Sequence, residues 1–581
     1  MCGIFCYIHD KENFLNTQYI RDQLHKRGPD CLNSYNISID SYEINFVASV
    51  LHIRGKDICK QPQISNHNIL LWNGEIFDGI DLTSNQSDTE ILFKLLDHED
   101  TNLVFNKLKG PFAFIYWQSN KNILWFGKDV IGRRSLLLSK NINGSLILSS
   151  IFPQNTCNHE FIELNPGLYK LHVKGDIPFN IHYYPYKEII ACPYRLLSTT
   201  QNFGQSYLDV MSNIFSRTSK NKEILSQFTY LLYRSAHLRL RSSVVPKLCR
   251  RCKSHPNHAM NYNAFGLNHN NNINGKNFDC AHSKIAILFS GGIDCLILAC
   301  LIDDLVDTKD SIDLLNVVFY DDQKPRWGKL IYCKTKTYSK DNVTRDLNTD
   351  IDGAKDRINA KKAYEYLGRR SKGIRNWNFV EVDVSKETLL SKLDEINQLM
   401  LPGTGNTILD GSIGPAFYFA ARGIGNTLER DRVHTEEGYV ESITGSAFYD
   451  SPAQVLFSGF GADELLAGYT KHRMIFKHGG LDALQKEILN SVKNMYERNL
   501  GRDDRVISCH GKEVRYPYLD EDLVSFLLSL PVEYKADLNL PPGIGDKMLL
   551  RTLGKAMSIP ENLCSLPKKA IQFGSNIAKI Q

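Results

Sequence analysis

Residues 284–306 read KIAILFSGGIDCLILACLIDDLV, and the order of elements in this stretch decides the fold of the second half of the chain. Lys284–Phe289 is a short apolar run suited to a buried strand, and Cys295–Val306 is an apolar helical run. Between them, Ser290-Gly291-Gly292-Ile293-Asp294 forms a tight strand-to-helix turn. Such a turn presents unprotected backbone N–H groups at the positive end of a helix, and its glycines allow an anion to approach the backbone closely. Asp294 sits where a carboxylate could ligate a cation carried by a pyrophosphate. Ser-Gly-Gly can also make this turn with no ligand at all, so the loop has to be weighed with its surroundings.

A second strand-like run, Leu314–Tyr320, follows at βαβ distance. DRINAKKAYEYL (356–367) then reads as a helix and NFVEVDV (378–384) as a strand, and the remainder is expected to be mostly helical. Upstream, residues 1 to about 185 are β-rich. Strand-like runs at Asn45–Leu51, Ile69–Trp72, Phe112–Trp117 and Leu124–Gly127 alternate with turn residues. One amphipathic helix is predicted at Asp88–Leu96, capped by Ser87 or Asp88. Residues 205–248 are helical in pattern. The Asn- and His-rich stretch 254–279 has too little apolar content to bury itself, and it reads with the charged segment 321–354 as disordered insertions.

Composition bounds the class. A chain of 581 residues, 42% hydrophobic and 23% charged, is too long for one core. No apolar run reaches membrane-spanning length, and charges interrupt the first thirty residues, so neither a span nor a secretory leader is expected. Fourteen scattered cysteines fit reduced thiols in the cytoplasm, and a net charge of +5 does not call for nucleic acid. Cys249, Cys252, His255, His258, Cys280 and His282 include zinc-ligand types. The Cys252–His255 spacing is too tight for the usual finger, which leaves a basic linker.

SGGID resembles the PP-loop of ATP pyrophosphatases, with Cys295 in place of the usual final serine. A thiol is a weaker donor than a hydroxyl, and the backbone contacts do not depend on it. LFSGFGADELLAGY (456–469) repeats the strand-to-loop pattern and offers Asp463 and Glu464 as further carboxylates for magnesium. PPGIGDKMLLR (541–551) places Lys547 at a helix start, a point charge suited to a phosphate.

At the other end, MCGIFCYIHD puts Cys2 directly behind Met1. HKRGPD (25–30), WNGEIFDG (72–79), QSDTEI (86–91), GPFAF (110–114) and FGKDVIGRRSL (126–136) follow in that order. Together they resemble the class II, N-terminal-nucleophile glutamine amidotransferase domain. Removal of Met1 would give Cys2 a free α-amine with a pKa near 8, able to take the thiol proton. The resemblance implies Asn73 and Gly74 as oxyanion donors and Asp88 and Glu75 as glutamine ligands. Asn73-Gly74 is equally a hairpin-turn signal, and both readings can hold.

This amidotransferase followed by a PP-loop synthetase is the layout of glutamine-dependent asparagine synthetases. GRDDRVISCHGKEVRYPYLD (501–520) and LPKKAIQFG (566–574) extend the resemblance to the C-terminus. It implies an α+β, four-layer αββα N-terminal-nucleophile domain (2–185), a helical linker (186–283) and an α/β PP-loop ATP pyrophosphatase-like domain (284–581). The implied reaction, in asparagine biosynthesis, turns ATP, aspartate and glutamine into asparagine, glutamate, AMP and pyrophosphate. The implied nucleotide site is Ser290, Gly291, Gly292, Asp294, Cys295, Val318, Ser458, Gly459 and Lys547, with Mg2+ on Asp294 and Asp463. A homodimer is compatible with the resemblance.

Two departures bear on the chemistry. Counting back without gaps from Gln61-Pro62 puts Val50 where the family has a glutamine-binding arginine. Arg54 is offset by four residues, about 13 Å in an extended chain. Phe460 replaces a family glutamate and cannot do acid–base or metal work. They leave open an amide-forming synthetase with another carboxylate, or a scaffold without turnover.

Overall fold

The computed structural model describes residues 2–10, 17–83, 86–141, 145–153, 160–173, 180–186, 201, 203–216, 221–241, 283–321, 353–400, 408–435 and 438–580. The Cys/His group at 249–282 and the stretches 254–279 and 322–352 lie outside them. Among the described residues no cluster of three or more His, Cys, Asp or Glu side chains gathers to hold a metal.

The N-terminal half builds two antiparallel six-stranded sheets. The first runs, in spatial order, Ile162–Glu163, Leu137–Lys140, Leu146–Ser149, Gly3–Asp10, Tyr42–Val50, Cys31–Ile39. The second runs Ile181–Tyr184, Gly167–His172, Ile123–Lys128, Phe112–Gln118, Asn68–Gly74, Gln63–Ser65. The central strands, such as Gly3–Asp10, Phe112–Gln118 and Ile123–Lys128, are buried along nearly their whole length because both faces are covered. Ile4, Cys6 and Ile8 pack with Leu71, Ile115 and Phe126 between the sheets. Phe5 and Tyr7, one residue out of phase, pack on Ile20 and Leu24 of the helix Gln18–Arg27. Trp72, Phe112 and Phe114 likewise meet Leu92, Leu96 and Phe105 of the helices Asp88–His98 and Thr101–Lys107. Helix, sheet, sheet, helix is the four-layer arrangement expected.

The C-terminal half carries a seven-stranded sheet ordered Gly438–Asp450, Ile424–Thr435, Trp377–Ser385, Ile312–Tyr320, Ile285–Leu288, Val455–Phe457, Glu513–Arg515. The last five are parallel. Ile285–Leu288 has its sequence successor on one side and Val455–Phe457 on the other. The strand order therefore reverses beside it, and a crevice opens at the carboxyl ends of these strands. The helix Ile293–Leu305 is buried around most of its circumference, which explains its unbroken apolar sequence. The expectation of a mostly helical remainder fails at Ile424–Asp450, where a long antiparallel hairpin extends the sheet. Its charged sequence hides the strand signal, and at its described C-terminal end Phe448 is 70% exposed.

The two halves meet across a seam of buried charges. Arg27 reaches Asp504 at 2.8 Å, Arg505 reaches Glu163 at 2.6 Å, and Arg134 lies 3.4 Å from Glu513. Arg133 donates to the Leu519 carbonyl at 2.7 Å and pairs with Glu521. FGKDVIGRRSL and GKEVRYPYLD are thus complementary surfaces, and unpairing either side would strand a buried charge.

Candidate active sites

The first site forms where Gly3–Asp10 begins. Gly3 N donates to Ser49 Oγ at 3.0 Å and Ile4 N to Ser150 Oγ at 2.9 Å. Arg27 Nε donates to the Cys2 carbonyl at 3.3 Å, so HKRGPD fixes the backbone at Cys2. Gln61 holds the thiol, with Nε2 3.7 Å from Sγ, while its Oε1 accepts from Trp72 N at 2.6 Å. The Gln-Pro pair was the only sequence sign of this role. Burial pushes the Cys2 thiol above its ordinary pKa, with Asp88 and Glu513 adding to the rise and the N-terminal charge opposing it. Such a thiol needs a base to become nucleophilic.

Asp88 is close enough to act on this thiol, Glu75 is close to Asp88, and Asn73 follows Trp72, whose N–H donates to Gln61. Neither heteroatom of the Asn73 side chain has a hydrogen-bond partner among the described residues, although Asn73 is fully buried. Asp88 accepts from Ile76 N at 3.1 Å and Thr89 N at 2.7 Å. Burial pushes the Glu75 carboxyl up to about 8, helped by Glu513 and Asp88 and opposed by Arg515 and Arg54. Burial also raises Asp88, against Arg54.

The structure corrects the reading of Val50. That residue is buried in its strand, paired with Cys31, and so close to Gly28 that a Cβ there would sit 2.5 Å from the Val50 nitrogen. The strand ends at Val50 and the chain turns, with Gly55 at φ +87, so the extended-chain offset does not apply. Arg54 therefore reaches the site. Its Nη1 donates to the Ile76 carbonyl at 2.8 Å and lies 3.8 Å from Glu75 Oε2, while its buried Nε has no partner among the described residues.

The second site is a cavity of about 200 Å³ in the crevice of the parallel sheet. Ser290, Gly292, Asp294, Cys295, Ser458, Gly459, Phe460 and Asp463 line it. Gly459 is required by crowding: a Cβ there would stand 2.9 Å from Asp294 Cβ. Lys547, held at φ +53, places Nζ 2.6 Å from Asp294 and 2.7 Å from Asp463, and Lys568 Nζ is 2.6 Å from the other Asp463 oxygen. Lys547 is 1% exposed, so it is not a solvated surface lysine. The lysines overcome burial and hold Asp463 well below the usual carboxylate range. Asp294 Oδ1 is buried with no hydrogen-bond partner among the described residues.

Four assignments move. Val317 lines the cavity and Val318 does not, as expected of neighbours on a strand pointing to opposite faces. Gly291, at φ +77, packs against the helix Lys355–Arg370, where a Cβ would sit 2.3 Å from Ala360 N. Glu464 turns away from Asp294 to accept from Gly461 N at 3.2 Å and from the Tyr469 hydroxyl. Cys295 donates to the Gly292 carbonyl at 3.2 Å, and burial pushes its thiol up to about 11, so it serves the loop as a neutral group. Asp356, Lys568 and Lys569 also line the cavity. Burial pushes Asp356 up to about 7.

A family profile described as a glutamine amidotransferase domain matches residues 1–161, and one described as asparagine synthase matches residues 476–579. Asparagine synthetase domain-containing protein 1 of Gallus gallus is 32% identical, aligned over 100% of this chain and 98% of its own length. The chain belongs to the asparagine synthetase domain-containing protein family. The Homo sapiens member is 33% identical over 100% of this chain and 96% of its own. A putative glutamine-hydrolyzing asparagine synthetase of Methanocaldococcus jannaschii is 35% identical over 22% of this chain and 28% of its own. The N-terminal unit is thus a glutamine amidotransferase domain, joined to an asparagine synthase domain. Among the described residues no helix is long and apolar enough to cross a membrane.

Proposed function

We propose that the chain is a glutamine-hydrolysing amide synthetase that uses ATP and Mg2+ to convert aspartate to asparagine. The observation that carries this reading is a set of buried side-chain atoms in the domain that Cys2 opens with no hydrogen-bond partner among the described residues: both Asn73 side-chain heteroatoms, Glu75 Oε2 and Arg54 Nε. Leaving a buried donor or acceptor unmade costs about 1–3 kcal/mol each, so such a group is a binding site in waiting. Glutamine supplies the complements: its carboxylate for Arg54, its ammonium for Glu75 and Asp88, and its developing oxyanion for Asn73 and the Gly74 N–H. The α-amine of Cys2, freed by loss of Met1, takes the thiol proton. The thiolate attacks the carboxamide carbon, ammonia leaves, and water hydrolyses the thioester.

In the second domain, ATP phosphates would lie on the Ser290–Gly292 turn beside Lys547. Asp294 and Asp463 would hold magnesium, which binds one or two carboxylates together with substrate phosphates. The free Asp294 Oδ1 fits that role. Bound magnesium would neutralise charge on the departing pyrophosphate. Phe460, a ring 6.0 Å from Tyr516 in the cavity wall, favours a second reading, in which the same chemistry acts on a carboxylate other than aspartate.

The test measures AMP formation from ATP with aspartate plus ammonia and with aspartate plus glutamine. AMP under both conditions supports the full reading. AMP under neither, in protein that hydrolyses glutamine, would contradict aspartate as the acceptor. Glutamine hydrolysis absent as well would point to a scaffold.

A further inference from the structure

Glu75 Oε2 lies between two guanidinium groups, 3.8 Å from Arg54 Nη1 and 3.9 Å from Arg515 Nη2, and hydrogen-bonds to neither. Arg54 belongs to the amidotransferase domain, whereas Arg515 comes from the last strand of the C-terminal sheet. The rest of the Arg515 guanidinium is well anchored. Its Nε donates to Glu513 at 2.6 Å, Nη1 donates to the Arg239 carbonyl, and its charge lies 5.7 Å from the Phe77 ring centroid. Phe77 is next to Ile76, whose N–H and carbonyl hold Asp88 and Arg54. Arg515 therefore braces the 73–77 segment from across the seam.

The backbone of the same residue serves the other site. Glu513–Arg515 pairs in parallel with Val455–Phe457, and the Arg515 carbonyl accepts from Ser458 N at 3.0 Å. Ser458 opens the loop that lines the nucleotide cavity, and its neighbour Gly459 is packed against Asp294. From Glu75 to Asp294 the path is one ion-pair gap, one residue, one backbone hydrogen bond and one crowded contact.

We propose that Arg515 is a positioning residue shared by both sites, through which glutamine and nucleotide binding are energetically coupled. The inference rests on the reading of the two sites given above. The physical basis is the divided allegiance of Glu75. An ammonium arriving at Oε2 changes its balance between Arg54 and Arg515, and a shift of Arg515 is felt at Ser458 because the strand carries both groups. A ligand moves such an equilibrium only by its differential interaction with the two arrangements, and Glu75 supplies one. Coupling in binding is reciprocal.

The experiment uses full-length Cys2→Ala protein, which cannot consume glutamine. ATP with magnesium is titrated by calorimetry with and without saturating L-glutamine, and then in the reverse order. Glutamine is expected to change the ATP Kd by about fivefold or more, the lower end of ordinary allosteric coupling, and ATP to change the glutamine Kd by the same factor. Adding Arg515→Lys should bring the factor close to one while each ligand alone still binds, an effect that a merely structural residue would not have. A factor of one in the Cys2→Ala protein with both ligands bound, or an unchanged factor in the Arg515→Lys protein, overturns the coupling alone. Failure of either ligand to bind overturns the assignment of that site, and the coupling with it. If Arg515→Lys does not fold, Glu513→Gln decides. It removes the negative charge from the acceptor 2.6 Å from the guanidinium, so a several-fold change in the factor supports the proposal and no change overturns it.

Discussion

The two sites satisfy their charges in opposite ways. In the amidotransferase domain, Asn73, Glu75 and Arg54 keep buried polar atoms with no hydrogen-bond partner among the described residues. In the crevice of the parallel sheet Lys547 and Lys568 meet Asp294 and Asp463 at 2.6–2.7 Å, and Asp294 Oδ1 is left without a hydrogen-bond partner among the described residues. The first is therefore built for a small ligand that brings its own complementary charges. The second is a largely self-neutralised cluster that an incoming cation would have to rearrange. A low-dielectric cavity enforces both solutions, because an isolated buried charge is costly in either.

The largest test of this contrast is Cys2→Ala, which should abolish glutamine hydrolysis while leaving the affinity for ATP alone unchanged; glutamate release and nucleotide titration measure the two. Arg54→Ala should come next. It removes charge-assisted hydrogen bonds worth about 3 kcal/mol, which corresponds to a glutamine KM raised about a hundredfold. An unchanged KM would return the question to how the carboxylate is held. In the self-neutralised site the effects should be smaller. Asp294→Asn keeps the loop N–H groups and removes a metal ligand, so ATP should bind about tenfold more weakly with magnesium and nearly unchanged without it. Equal losses in both conditions would remove Asp294 from the metal assignment.

The contrast also shows what the sequence could reveal. SGGID and the apolar strands were legible because each rests on a local rule of period or turn chemistry; Asn73-Gly74 makes no hairpin turn, since it ends the strand Asn68–Gly74 and pairs with Phe112 and Ala113. Arg54 was not legible, since counting along the chain presumes a continuing strand, and the strand stops at Val50. That Val317 and not Val318 faces the cavity is not legible in the sequence, because a strand buried on both faces gives no alternation to set the register. Asp356 reaches the cavity only through the packing of a helix that begins after the stretch 322–352. The hairpin Ile424–Asp450 escaped notice because its residues are charged and in part exposed.

The smallest effect expected is on stability. Asp356 binds a proton in the folded protein up to about pH 7, well above its ordinary value of 3.8. The folded state thus holds more protons than the unfolded one between those values, and stability falls as pH rises through that window. Asp356→Asn removes this term. The variant should melt a few degrees above the unsubstituted protein at pH 8 and level with it near pH 4. A lower melting temperature at pH 8 would show that the carboxylate is structural.

The most direct measurement is the steady-state rate of glutamine hydrolysis by purified protein whose intact mass shows that Met1 has been removed. The account predicts glutamate and ammonia in equal amounts, at a rate that saturates with glutamine and is lost with Cys2→Ala. Absence of hydrolysis from protein with a free Cys2 amine, or a native chain that retains Met1, would contradict it.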